Sequence, residues 1–227
     1  MNLVIKIGGH LIFREEGVDV KLLREHASVL RELYDGGRWA VVVGGGGLAR
    51  KYVEASRSLG INEAASDSLA VQVTRINARL LSLALGDAAY QAIPATLDRV
   101  REYAALGKIV VLGGLQPGQS TVGVAALTAE ALEAEKLIIA TDVDGVYTSD
   151  PKTDPNAKLL EEVTLGKLQQ ILSKTSHKAG EYKLIDAIAL KILSRSRIPA
   201  IYINGGNPEN LRKAILGEKI GTLVKPE

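Results

Sequence analysis

The chain has 227 residues, 46% of them hydrophobic and 24% charged, with 28 Lys and Arg against 26 Asp and Glu for a net charge of +2. That suits one large domain or two closely merged ones, and so even a balance excludes a partner held by bulk charge: no nucleic acid is expected, while a local basic patch for a small anion remains open. With no cysteine there is no disulfide, thiolate catalysis or cysteine-ligated metal, and His10, His26 and His177 are too scattered for a histidine cluster.

The first run, LVIKIGG (3–9), reads as a buried strand with a lysine inside it. Lys6 among Val4, Ile5 and Ile7 costs several kcal/mol if buried without a partner. Either it snorkels from an edge strand, or it reaches over the glycine loop to clamp a phosphoryl group in transfer. Residues 19–35 carry Val20, Leu23, Ala27, Leu30 and Leu33 on one helix face. WAVVVGGGG (39–47) is a second strand running into four glycines and then a basic helical segment with Arg50 and Lys51. A glycine loop at a helix N-terminus cradles anions through free N–H groups and the helix dipole. Arg50, one turn in, is the better phosphate-facing residue of the two.

Residues 66–85 form a long helix with Asp67 at its start, placed to cap it. KIVVLGG (108–114) is a third strand. GLQPGQST (114–121) follows, with a turn at Pro117-Gly118 and Ser120 or Thr121 able to cap the alanine-rich helix over 122–135. It is either a capped helix start alone or a second anion site. LIIATDVDG (137–145) places Asp142 and Asp144 at a strand end, where they form a charged turn, orient a lysine or hold Mg²⁺ through water. Residues 146–182, with Asp150-Pro151 and Asp154-Pro155, read as a hairpin or extended excursion and a short helix near 164–172. A helix over 184–195, the strand AIYINGG (200–206) and a helix over 208–216 complete the chain.

Five glycine-tipped strands alternating with helices predict an α/β protein, with a mainly parallel sheet between helical layers. Their tips gather on one edge, where such sheets bind ligands. A soft boundary falls near residue 140. Neither a Walker GxxxxGK[ST] nor a GxGxxG with its acidic partner is present. No apolar run reaches the roughly 18–20 residues needed to cross a bilayer. The start MNLVIKIGG lacks a signal-peptide pattern, so a cytoplasmic location is expected.

KIGGH, GGGGLARKY, GLQPGQST and ATDVDGVYTSDP, in that order, resemble the amino acid kinase superfamily and, within it, the archaeal-type uridylate (UMP) kinases. The resemblance covers nearly the whole chain. It implies the amino acid kinase fold, a three-layer α/β/α sandwich, with transfer of the ATP γ-phosphate to UMP in pyrimidine nucleotide biosynthesis, Mg²⁺ accompanying ATP, and a homohexamer. It implies that residues 1–140 form the half that binds UMP and oligomerises, and 141–227 the half that binds ATP. Lys6, Ile7, Gly8, Gly9 and His10 would line the ATP phosphates, with Gly46 and Arg50. Thr141, Asp142, Tyr147 and Asp150 would surround the adenosine side. Gly45 would contact UMP, Asp67 its ribose, and Leu115, Gln116, Pro117, Gly118, Gln119, Ser120 and Thr121 would wrap it. Lys6 and Asp142 would be catalytic, the second holding the first in position. Two positions depart from the usual pattern: Gly8 stands where serine is common, and His10 where lysine or glutamate is. KxGG also occurs in acetylglutamate and isopentenyl phosphate kinases, and these, with a non-catalytic nucleotide-binding protein, are the alternatives.

Overall fold

The computed structural model describes residues 1–14, 16–175 and 185–226, with backbone alone over 172–175. His177, the last part of the expected excursion (176–182) and the expected helix start at 184 lie outside the described residues. The five apolar runs form β1 (Leu3–Ile7), β2 (Trp39–Val43), β4 (Ile109–Leu112), β5 (Lys136–Thr141) and β7 (Ala200–Asn204), joined by the short β3 (Ala89–Tyr90), β6 (Glu162–Thr164) and β8 (Thr222–Lys225). Every residue of β1, β2 and β4 is buried, as strands covered on both faces require. Between them run α1 (Gly9–Ile12), α2 (Val20–Leu33), α3 (Gly46–Ser58), α4 (Glu63–Leu85), α5 (Leu97–Ala104), α6 (Thr121–Ala131), α7 (Leu165–Thr175), α8 (Ala187–Ser196) and α9 (Pro208–Leu216).

The sheet order is β3-β4-β2-β1-β5-β7-β8-β6. Neighbours are parallel except β7 and β8. From β1 the chain builds outward in both directions, so β1 lies at the topological switch point, where a crevice opens outside the strand ends. Alternation along β1 divides the core. Leu3, Ile5 and Ile7 pack on one side with Leu30, Leu81 and Leu211, while Val4 packs on the other with Val124 and Leu193. Lys6 shares the second side with Val4.

Local capping sets the helix starts that face the crevice. Asp19 accepts from Leu22 N at 3.0 Å, and Ser120 from Gly123 N at 3.0 Å. Asp67 does not cap α4. Asn62 does, accepting from Ala65 N at 3.0 Å, and the helix begins at Glu63 rather than near 66. The excursion after β5 is a hairpin: Thr148 N donates to Lys158 O at 2.9 Å and Leu160 N to Val146 O at 2.9 Å.

Candidate active site

The glycines after β1 and β2 face one another. A Cβ on Gly9 would lie 2.3 Å from Gly46 N, and one on Gly44 would lie 2.6 Å from Gly9 N. Gly46 has φ +66, and its Cβ would lie 2.0 Å from Phe13 O. The residue type is therefore dictated first by contact between the two loops. The approach of a ligand, which the sequence suggested, is a second consequence: with no side chains between them, the loops leave N–H groups bare. Gly45 N and Gly46 N have no acceptor among the described residues, and they open α3, where an anion is favoured. Ile7 is wholly buried, and its carbonyl accepts from Gly44 N at 3.0 Å. Gly8 N is occupied by Ala140 O at 2.9 Å.

Beside these loops lies a cleft of about 380 Å³ lined by Gly45, Gly46, Asp67 and the whole of Gln116–Thr121. Asp67, in the second turn of α4, accepts from Gly118 N through Oδ2 at 3.1 Å, leaving Oδ1 for a ligand. Gly118 makes the turn with φ +76. Ser120 caps α6 through Gly123 N, and the N–H groups of Thr121 and Val122 have no acceptor among the described residues, which leaves them to face an anion. Leu115 lies on the far side of Pro117, in a neighbouring hollow.

The charges collect at the tip of β1 and β5. Lys6 is 9% exposed, and its ammonium has no hydrogen bond or ion pair among the described residues. Burial pulls its pKa from 10.5 down to about 8, against the opposing attraction of Asp142. Asp142 does not meet Lys6 in an ion pair. Its Oδ2 takes Lys152 Nζ at 2.6 Å, and its Oδ1 lies 3.3 Å from His10 Nε2, off the line of a hydrogen bond. Burial works to raise the Asp142 carboxyl, but Lys152 and His10 hold it below its usual range. His10 is lowered by burial first and by Lys6, Lys152 and Arg50, with Asp142 opposing, so its ring is neutral at pH 7. Arg50 is exposed and has no carboxylate partner among the described residues. Lys6, Arg50 and Lys152 thus converge with one carboxylate between them, an excess of positive charge suited to a polyphosphate.

Thr141 is buried, and its hydroxyl donates to Asp142 Oδ1 at 3.2 Å. Tyr147 donates to Asp144 Oδ2 at 3.2 Å, and Asp144 Oδ1 accepts from Asn204 Nδ2 at 2.9 Å. Asp144 is thereby committed to structure, and the acidic pair does not act as a pair. Asp150 organises the hairpin turn, accepting from Lys152 N at 2.9 Å.

Sequence reasoning missed the wiring on α4. Asn77 Nδ2 donates to Gly44 O at 3.0 Å and Gly45 O at 3.1 Å. Thr74 Oγ1 accepts from Gly114 N at 2.6 Å, and Arg75 donates to Gly114 O at 3.0 Å and Leu115 O at 2.9 Å. A signal was present: Thr74 and Asn77 are polar positions on a helix face otherwise built for the core, and buried polar groups need partners.

The pattern of the amino acid kinase family matches residues 1–204. The chain is 46% identical over 227 residues to the uridylate kinase of Metallosphaera sedula, covering 100% of both chains. It is 43% identical over 224 residues to the uridylate kinase of Methanobrevibacter smithii, covering 99% of each. Its fold is similar to the crystal structure of uridylate kinase from Archaeoglobus fulgidus, with a TM-score of 0.87 and 36% identity over 99% of this chain and 100% of that one. Sheet order, glycine-loop contact and end-to-end likeness lead to one conclusion: the chain belongs to the amino acid kinase family.

Proposed function

We propose that the chain transfers the γ-phosphoryl group of ATP to UMP, giving ADP and UDP, a step of pyrimidine nucleotide biosynthesis in the cytoplasm. The observation that carries this reading is Lys6, a buried cation with no side-chain partner among the described residues, on the strand whose Gly8-Gly9 tip meets the Gly44–Gly46 loop that borders a cleft of nucleotide size. The acceptor phosphate is already anionic, so the site needs no strong base. It must hold two phosphates in line and offset the charge that spreads over the transferring group.

In this reading Gly9, His10, Gly46 and Arg50 receive the ATP phosphates, and Lys6 neutralises charge in the transition state. Asp142 supports the ammonium of Lys6 through its field. Thr141, Tyr147 and Asp150 flank the adenosine, so residues 141–227 hold the adenosine end of ATP, while 1–140 hold UMP and supply the loops that receive the ATP phosphates. Gly45 and Gln116–Thr121 hold UMP, with the free oxygen of Asp67 on its ribose. No three His, Asp or Glu side chains stand together among the described residues, and Asp142, whose oxygens face Lys152 and Thr141, is the carboxylate that would hold Mg²⁺ through water. When bound, the ion neutralises phosphate charge. Ile76 and Leu83 stand 64% and 55% exposed on α4, which supports assembly of copies, here proposed as a hexamer and measurable by static light scattering.

An ADP-release assay with UMP, CMP, dUMP, AMP and acetylglutamate tests the reading. Turnover is expected with UMP; acetylglutamate as the preferred acceptor would overturn it. Asp67→Asn removes the charge that faces the ribose while an amide oxygen still accepts from Gly118 N. It is expected to raise KM for UMP about tenfold, since hydrogen bonds to a charged group contribute roughly 1.5–3 kcal/mol. KM for ATP is expected to stay within about twofold, and an equal rise in both constants would remove Asp67 from the acceptor site.

A further inference from the structure

The carboxylate of Asp186 is divided between two helices. Its Oδ1 caps α8, accepting from Ala189 N at 2.8 Å. Its Oδ2 accepts the hydroxyl proton of Ser120, 66 residues earlier in the chain. The same Ser120 oxygen accepts from Gly123 N at 3.0 Å and caps α6. One serine and one aspartate therefore cap two helices and tie their N-termini together. The C-terminal ends of the same helices are tied separately. Arg195 Nε donates to Glu130 Oε1 at 2.8 Å, and Ser196 Oγ to the same oxygen at 2.9 Å. The two helices are parallel and pinned at both ends, and only the first pin touches the cleft.

We propose that Asp186 is a positioning residue for the acceptor phosphate. A serine hydroxyl has one proton, and Asp186 takes it. Ser120 then offers the substrate no hydrogen bond and serves as an acceptor, fixed in one rotamer. With Gly123 N held by that oxygen, the donors left at the start of α6 are Thr121 N and Val122 N, both without an acceptor among the described residues. Helix N-terminal N–H groups backed by the dipole receive phosphate. Their aim depends on the tilt of α6, which the Asp186 pin sets. Two helix N-termini also share the negative charge of Asp186, which softens its repulsion of an incoming phosphate.

The inference rests on the reading of the cleft as the UMP site, and the experiment separates the two. Asp186→Asn keeps an oxygen to cap α8 but has no second oxygen for the Ser120 proton. Glu130→Gln, an internal control, weakens the far pin between the same helices. Steady-state kinetics and thermal melts are measured for both variants and the unaltered chain. For Asp186→Asn the expected result is a KM for UMP about tenfold higher, a KM for ATP within about twofold, and a melting temperature close to that of Glu130→Gln. Glu130→Gln should leave both constants within about twofold. Ser120→Ala added to Asp186→Asn should raise KM for UMP no further than the larger single effect, since both break one contact. Should both single variants alter kinetics alike, or should the double variant show independent effects, Asp186 is structural and the proposal falls. If the unaltered chain does not phosphorylate UMP, it is the reading of the cleft that fails.

Discussion

Lys6→Met is expected to slow phosphoryl transfer roughly 10²–10³-fold and to make the protein more stable. Removing one preorganised charge-stabilising donor costs roughly 10²–10³ in rate. Lys6 is the buried cation at the strand tips, so the loss should fall in kcat. The stability gain follows from its environment. Burial lowers its pKa from 10.5 to about 8, a displacement equivalent to about 3 kcal/mol against the folded state. Methionine fills similar space without the charge.

The pH dependence has a definite sign. Between about 8 and 10.5 the folded lysine has lost its proton while the unfolded one retains it. The unfolded state then binds more protons, and stability rises with pH. Below about 8 both states are protonated and the full penalty is present. The advantage of Lys6→Met should therefore be largest at pH 7 and shrink toward pH 10.5, which urea denaturation at two pH values would measure. A variant less stable than the parent at pH 7 would mean that the ammonium is well solvated, and the clamp role would go with it. The kcat/KM of the unaltered chain should likewise fall as pH rises past about 8, because the charge on Lys6 disappears.

Gly46→Ala should be severely damaging for a single-methyl addition. At φ +66 an L side chain costs about 1–2 kcal/mol before any contact is counted. The new carbon would also lie 2.0 Å from Phe13 O and 2.7 Å from Gly9 O, both backbone atoms that cannot rotate away. A loss above about 3 kcal/mol is expected, with the two loops forced apart. Gly118→Ala is the matched comparison: φ is +76 but nothing lies within 4 Å, so only the conformational cost of about 1 kcal/mol should appear. Urea midpoints for the pair test this, and equal losses would mean that the loop contact carries no weight.

Strands covered on both faces announce themselves as Val and Ile runs, and all five such runs are strands. β3, two residues long, and β6, three, have no periodicity to read, because their pairing comes from neighbours rather than from their own pattern. Asp67 looked like a cap because it is an acid near a helix start. Asn62 holds that place, and Asp67 reaches across to Gly118. Thr74, Arg75 and Asn77 act on backbone atoms of loops distant in sequence, and Asp186 acts on the side chain of Ser120, 66 residues away; only the fold brings these partners near. The glycine motifs were legible as motifs. Their physical demand, two loops in backbone contact, was not.

That contact fixes a spacing by peptide geometry rather than by rotamers. On the proposed reading, the cradle for the donor and the cradle for the acceptor are one casting, and the gap between two nucleotides would be written into main-chain atoms before either arrives. Heat loosens rotamers well before it parts interlocked main chain, so alignment at this centre should persist until the whole molecule melts.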